Sequence, residues 1–215
     1  MNNEHYFSAA PTGEERRRTI NVQLAGRQVQ VETAGNIFSP DALDRGTEIL
    51  LDTVPRPPKT GRFLDIGAGW GPIALTMGLL APEAQVTAVE VNARAAALTK
   101  SNSQRLGLDN IIVRHPDEVS HDVGFDLIWT NPPIRIGKQA LHELLTRWLV
   151  MLNFGGEAWL VVAKKLGADS LLPWIDSMLN EKYPGQFTCR RAATKKGFRI
   201  LHIARNLQGS EKSHS

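Results

Sequence analysis

The chain has 215 residues, 42% of them apolar, and a net charge of +3. That is enough for one domain with a sizeable core, and too apolar for wholesale disorder. Its single cysteine, Cys189, excludes an internal disulfide and a cysteine zinc site, and the longest apolar runs fall short of the ~20 residues of a membrane helix.

The expected setting is therefore a reducing cytoplasm, with no membrane and no metal. No signal-peptide core opens the chain. Residues 1–16 are polar and expected to be loosely held. Ile20, Val22 and Leu24 alternate with polar residues, as do Val29 and Val31, and Ala25-Gly26-Arg27 lies between, which predicts a β-hairpin. Ser39, Pro40 and Asp41 form a helix start (capping hydroxyl, proline at the first position, acid in the first turn), with the helix running to Val54 before Pro55, Pro57 and Pro58. From Gly61 the pattern alternates. Strands are predicted over 62–66, 85–91, 111–114, 125–129 and 157–163. Helices are predicted over 72–80, 93–106, 138–152 (stopped by Gly155-Gly156) and 169–180. A closing hairpin is predicted over 187–191 and 199–203, and the tail beyond Gln208 is expected to be disordered. Alternation of this kind means an α/β fold with a mostly parallel sheet, helices on both faces and an antiparallel end.

Two motifs carry chemistry. The first is the glycine turn Asp65-Ile66-Gly67-Ala68-Gly69-Trp70-Gly71. Glycines between a buried strand and a helix let a ligand approach the backbone and meet the free N–H groups of the helix start. An acid ending the next strand, Glu90, suits the two hydroxyls of a ribose. The glycines at 67, 69 and 71, followed by Pro72, depart from the dinucleotide pattern. They leave D-x-G-x-G with an acid first, awkward for a pyrophosphate but suited to an ammonium. S-adenosylmethionine carries an ammonium and no phosphate.

The second motif is Asn131-Pro132-Pro133-Ile134 at the end of the strand Phe125–Trp129. An exocyclic base amine is a poor nucleophile because its lone pair is delocalised into the ring. The Asn131 side-chain oxygen and the Pro132 carbonyl can accept its two N–H groups, and two prolines stiffen the loop. The rest is alignment, for which orientation supplies up to about 7–11 kcal/mol.

FLDIGAGWG (63–71) and AVEVN (88–92) resemble the first two motifs of class I S-adenosylmethionine-dependent methyltransferases. The resemblance implies a Rossmann-like fold with a seven-stranded sheet. It places Asp65 near the methionine part, Gly67, Ala68 and Gly69 along the turn, Glu90 and Val91 at the ribose, Asp117 at the adenine amine, and Asn131 against both cofactor and target. NIFSPDALDRGTEILL (36–51), NPPIRIGKQALHELL (131–145) and VVAKKLGA (161–168) resemble small single-domain relatives of the small-subunit ribosomal RNA guanine-N2 methyltransferases. On that resemblance Asn131, Pro132, Pro133 and Ile134 form the catalytic turn and the partner is RNA, ribosomal RNA in particular. Residues 1–38 form an extension with the hairpin, 39–206 the methyltransferase domain and 207–215 a tail. Many amine methyltransferases carry an aromatic residue where this chain has Ile134, so Phe38, Tyr6 and Phe7 are candidates to face the base. Cations expected to meet RNA are Lys164, Lys165, Lys195, Lys196 and Arg199; further clusters are Arg16-Arg17-Arg18 and Arg190-Arg191. Adenine-N6 or protein-glutamine methylation, both of which use an N-P-P turn, and a non-catalytic cofactor-binding RNA module remain open. An NAD-dependent oxidoreductase is disfavoured by the glycine spacing.

Overall fold

The computed structural model describes residues 17–35 and 42–207, except the side chain of Arg135. Tyr6, Phe7, Phe38, Ser39-Pro40-Asp41, Arg16 and residues 208–215 lie outside that range. Strands β1 (Arg17–Leu24) and β2 (Arg27–Ala34) pair antiparallel. Their two-residue turn, Ala25-Gly26, has φ of 52° and 74°, the doubly positive pair that matches the right-handed twist of a hairpin. Val22, Leu24 and Val31 point into the domain and are buried. Glu32 fastens the hairpin. Its N–H donates to Asn102 Oδ1 at 2.7 Å, its carbonyl accepts from Asn102 Nδ2 at 2.9 Å, and Arg105 and Ser101 donate to its carboxylate at 2.7 and 2.9 Å.

Helix α1 (Arg45–Leu51) is shorter than predicted and starts later. Residues 42–44 are not helical, and the cap is Asp44, whose carboxylate accepts the Thr47 N–H at 3.0 Å. The remaining elements are β3 (Arg62–Ile66), α2 (Pro72–Leu80), β4 (Gln85–Val89), α3 (Ala93–Arg105), β5 (Ile111–Arg114), β6 (Phe125–Thr130), α4 (Lys138–Leu149), β7 (Leu152–Ala163), α5 (Ala168–Lys182), β8 (Phe187–Lys195) and β9 (Phe198–Arg205). The larger sheet has seven strands in the order β5-β4-β3-β6-β7-β9-β8, parallel from β5 to β7 and antiparallel across β7–β9–β8.

Strand alternation sorts the core into two faces. Phe63, Leu127, Trp129, Trp159 and Val161 pack with α1, α2, α3 and the hairpin. Leu64, Ile66, Ile128, Leu160 and Val162 pack with α4 and α5. One expectation is corrected here. Gly155-Gly156 does not stop helix α4, which ends at Leu149; both glycines lie inside β7, where its register with β6 shifts. A side chain at Gly156 would come within 2.9 Å of the carbonyl oxygens of Asn153 and Phe125, so glycine serves the bulge. Ile66 pairs with Thr130, and the Thr130 hydroxyl donates to the Ile66 carbonyl at 2.9 Å. The glycine turn and Asn131 therefore leave the sheet side by side, at the carboxyl edge where open α/β sheets bind ligands.

Candidate active site

The turn after β3 folds under the end of β4. The N–H groups of Gly67 and Ala68 donate to the Val89 carbonyl at 2.9 and 3.1 Å. Gly71 caps α2 with φ of 100°, and a Cβ there would lie 3.0 Å from Thr99 Cγ2, so both conformation and space demand glycine. The turn is held from α3: the Thr99 hydroxyl donates to the Gly69 carbonyl at 2.8 Å and Asn102 Nδ2 to the Trp70 carbonyl at 2.9 Å. A Cβ on Gly67 would meet Pro133 Cδ at 3.8 Å, which places the N-P-P loop directly across from the glycine turn.

Two buried acids underlie this turn. Asp65 is fully buried; Oδ2 accepts the Ala74 N–H at 3.0 Å, and Oδ1 has no partner among the described residues. Burial pushes the Asp65 carboxyl up to about 8, the Ala74 N–H opposes this, and the nearby Glu90 adds to it. Glu90 accepts the Gly69 N–H through Oε2 at 2.8 Å and the Asn92 N–H through Oε1 at 2.9 Å. Burial raises its pKa above the usual carboxylate value, against those hydrogen bonds. Each carboxylate oxygen has a second acceptor position, so Glu90 can hold the turn and still take a hydroxyl. Beside it Val91 is 41% exposed, an apolar step at the mouth of the site.

The N-P-P loop begins where β6 stops. Asn131 Nδ2 donates to Asp44 Oδ2 at 2.8 Å and to Thr47 Oγ1 at 3.1 Å. Pro133, with φ −74° and ψ 73°, sits at the centre of an inverse γ-turn in which the Ile134 N–H donates to the Pro132 carbonyl at 2.8 Å. One lone pair of that carbonyl is thus occupied within the loop, and one remains for a second donor. Ile134 packs against the α4/α5 core.

The chain matches the methyltransferase small domain over residues 28–202. It belongs to that family. Its fold is that of the class I methyltransferases, and its cofactor is S-adenosylmethionine. Relatives agree. The uncharacterized protein YbxB of Bacillus subtilis is 30% identical over 92% of this chain and 96% of its own length. Ribosomal RNA small subunit methyltransferase C of Ectopseudomonas mendocina is 31% identical over 92% of this chain and 57% of its own length. The chain spans about half the length of the curated ribosomal RNA methyltransferases it matches, between 42% and 58% of each. In fold it resembles the T. thermophilus 16S rRNA N2 G1207 methyltransferase in complex with AdoMet and guanosine, with a TM-score of 0.71 at 21% identity over 92% of this chain and 52% of that one. It also resembles M. jannaschii TYW2 in complex with AdoMet, with a TM-score of 0.61 at 16% identity over 90% of this chain and 87% of that one.

The residues of this methyltransferase fit its cofactor. The unpartnered, buried Asp65 Oδ1 suits an ammonium, the backbone at Gly67 and Gly69 is open to close approach, and Glu90 and Val91 offer an acceptor and an apolar surface beside each other. Asp117 is a different case. It follows β5 in a short 3₁₀ turn, has a side chain 78% exposed and lies 3.4 Å from Arg147 Nη1, while its N–H donates to His115 Nδ1 at 3.4 Å.

The cations separate as well. Lys164 and Lys165 follow β7 and are exposed; the Lys164 N–H donates to the Gly197 carbonyl at 2.8 Å, which brings them beside the Lys195-Lys196-Gly197 turn. Arg199 does not join them. It is 9% exposed and its Nε donates to Asp169 Oδ1 at 3.1 Å, so its charge is neutralised against α5. Asp44, Gly46 and Thr47 lie in the stretch 36–51 that carries the family resemblance, without a role assigned to them from the sequence, and Phe198 joins them in space. A Cβ on Gly46 would sit 3.2 Å from both Asn131 Nδ2 and Phe198 Cε1, so these three residues meet at one point. The D-x-G-T spacing of 44–47 was the available signal for the first three; Phe198 had none. Among the described residues no cluster of His, Cys, Asp and Glu is arranged to hold a metal, and no helix is long and apolar enough to cross a membrane.

Proposed function

We propose that this methyltransferase acts on an exocyclic amine of a nucleobase in RNA, with the N2 amine of a guanine in small-subunit ribosomal RNA as its substrate. The observation that carries the reading is the orientation of Asn131. Its NH2 end is held by Asp44 and Thr47, so its Oδ1 end is the one left to accept from a substrate N–H. With the open lone pair of the Pro132 carbonyl, two acceptors stand at one turn, which suits an NH2 group. Drawing both N–H groups out of the ring plane makes the nitrogen lone pair available. S-adenosylmethionine, when bound, supplies an electrophilic methyl group on a sulfonium sulfur. Asp65, Glu90 and the glycine turn bind it, with Pro133 of the catalytic loop facing Gly67 across the site. The amine's proton is lost to water once the nitrogen has been alkylated, so no buried base is needed.

Support for RNA comes from the exposed lysine pairs on the carboxyl edge of the sheet and from the names of the relatives that share this sequence. The test is incubation of the purified protein with methyl-labelled cofactor and, separately, small ribosomal subunits, naked ribosomal RNA, DNA and total protein. Label entering ribosomal RNA is expected. Label entering only DNA or only protein transfers the reading to adenine or glutamine, and no label in any pool favours a non-catalytic binding module.

A further inference from the structure

A primary amide has two ends of similar size, and only one of them accepts. An asparagine in a methyl-transfer loop works when its oxygen faces the amine and fails when rotated by half a turn. We propose that Asp44, with Thr47, is the positioning pair that sets the Asn131 amide in its accepting orientation, and that α1 is retained ahead of the methyltransferase core to present it. This rests on the role assigned to Asn131 above and deepens it.

The chemistry leaves one arrangement. A carboxylate has no hydrogen to donate, so the amide end 2.8 Å from Asp44 Oδ2 must be the NH2 end. The second amide hydrogen is taken by Thr47 Oγ1 at 3.1 Å. Both hydrogens are then committed within the protein, and rotating the amide would set oxygen against oxygen at Asp44. Asp44 is itself immobilised, because the same Oδ2 accepts the Thr47 N–H at 3.0 Å as the cap of α1. The approach is bought by Gly46. A Cβ there would lie 2.9 Å from Asp44 Oδ2 and 3.2 Å from Asn131 Nδ2, so a side chain at this position would push the clamp open. Contacts of α1 with β7 and β9 seat the clamp on the sheet. The clamp spans 87 residues of sequence.

Asp44→Ser separates positioning from folding. Serine caps a helix about as well as aspartate, but its hydroxyl is too short to reach Asn131 while capping. On the substrate found by the labelling experiment, kcat is expected to fall roughly 10- to 100-fold, part of what losing a preorganised transition-state hydrogen bond costs. Cofactor Kd and Tm should stay near wild type. Asp44→Asn, which keeps an acceptor oxygen, should recover most of the loss. In an Asn131→Ala background, Asp44→Ser should add about 2-fold or less, because a residue that acts through another has nothing left to act on. Losses that multiply in the double variant, or an unchanged kcat in Asp44→Ser, overturn the proposal. A readout independent of turnover is the Asn131 side-chain NH2 signal in ¹⁵N spectra: protected from solvent exchange in the wild type and unprotected in Asp44→Ser. If no pool is methylated, the proposed function fails by itself, and the clamp is then judged on this signal. An NH2 that exchanges freely in the wild type rules the clamp out.

Discussion

The proposed site has a cofactor half and a substrate half, built on opposite plans. In the cofactor half the working groups are buried, and backbone from neighbouring strand ends satisfies most of them: Asp65 on Ala74, Glu90 on Gly69 and Asn92, and the Gly67 and Ala68 N–H groups on Val89. In the substrate half the working groups are a loop asparagine held by side chains from Asp44 and α1, with exposed lysines on the same edge of the sheet. The first plan gives a rigid site for one small molecule and keeps charge at low dielectric, where each acid feels its surroundings strongly. The second leaves charge in water, where it steers a large polyanion and is screened by salt. Substitutions in the two halves should therefore fail in different ways.

The largest effect is expected in the substrate half. Asn131→Ala should cut kcat by roughly 10²-fold or more, with cofactor affinity changed by no more than a few-fold, because the amide is held by Asp44 and Thr47 and none of its partners belongs to the glycine turn. Steady-state kinetics beside calorimetric titration with S-adenosylhomocysteine checks this. A proportional loss of affinity would merge the halves.

Next comes the cofactor half. Glu90→Ala should weaken cofactor binding by about 1.5–3 kcal/mol per charge-assisted hydrogen bond lost. It also frees the Gly69 and Asn92 N–H groups, so the turn loosens. Glu90→Gln, which can keep one of the two acceptors, should lose less. Titration of both variants gives the ranking, and equal affinity in all three proteins would remove Glu90 from the site.

A smaller effect is expected at the rim. Lys164→Ala combined with Lys165→Ala should lower the slope of log affinity against log salt by about two units if both contact phosphates, roughly one per contact. Cofactor binding should not change. Arg199→Ala should leave the slope alone and lower Tm instead, since its partner is Asp169.

The last effect is a pH dependence. Asp65 has its folded pKa pushed up to about 8 from an ordinary carboxylate value near 3.8. Between these values the folded state holds a proton that the unfolded state has released. Stability therefore falls as pH rises from about 4 through 8, and is greatest below that window. Asp65→Asn should flatten this part of the stability–pH curve, measured by urea unfolding. A curve as steep as wild type would mean that Asp65 is not the group responsible.

The elements that carry the glycine turn were legible in the sequence because their signals are local. Within the windows 62–71 and 85–92, strand, turn and acid follow one another, and β3, α2 and β5 have the bounds that apolar patterning predicts. The mostly parallel sheet with its antiparallel end and the N-terminal hairpin followed from the same reasoning, and the count of seven strands from the family resemblance. Failures came where a tertiary contact overrides a local signal. Gly155-Gly156 reads as a helix stop, yet the pair serves a bulge whose need is visible only beside Phe125 and Asn153. Arg199 reads as a free cation in a basic hairpin, yet α5 brings Asp169 to it. Asp44 falls inside the helix predicted from Ser39, yet it caps a later start, and its link to Asn131 exists only once α1 has docked on the sheet. The substrate half depends on such long-range pairs, so its composition was readable and its geometry was not.

The central claim is that the Asn131 turn presents its acceptors to an exocyclic amine. The most direct test is the atom that carries the methyl group. Small-subunit ribosomal RNA treated with the protein and methyl-labelled cofactor is digested to nucleosides and resolved by mass spectrometry. Label on guanine N2 is the predicted result. Label on a ribose oxygen or a ring carbon, where there is no NH2 for Asn131 Oδ1 and the Pro132 carbonyl to hold, would contradict it.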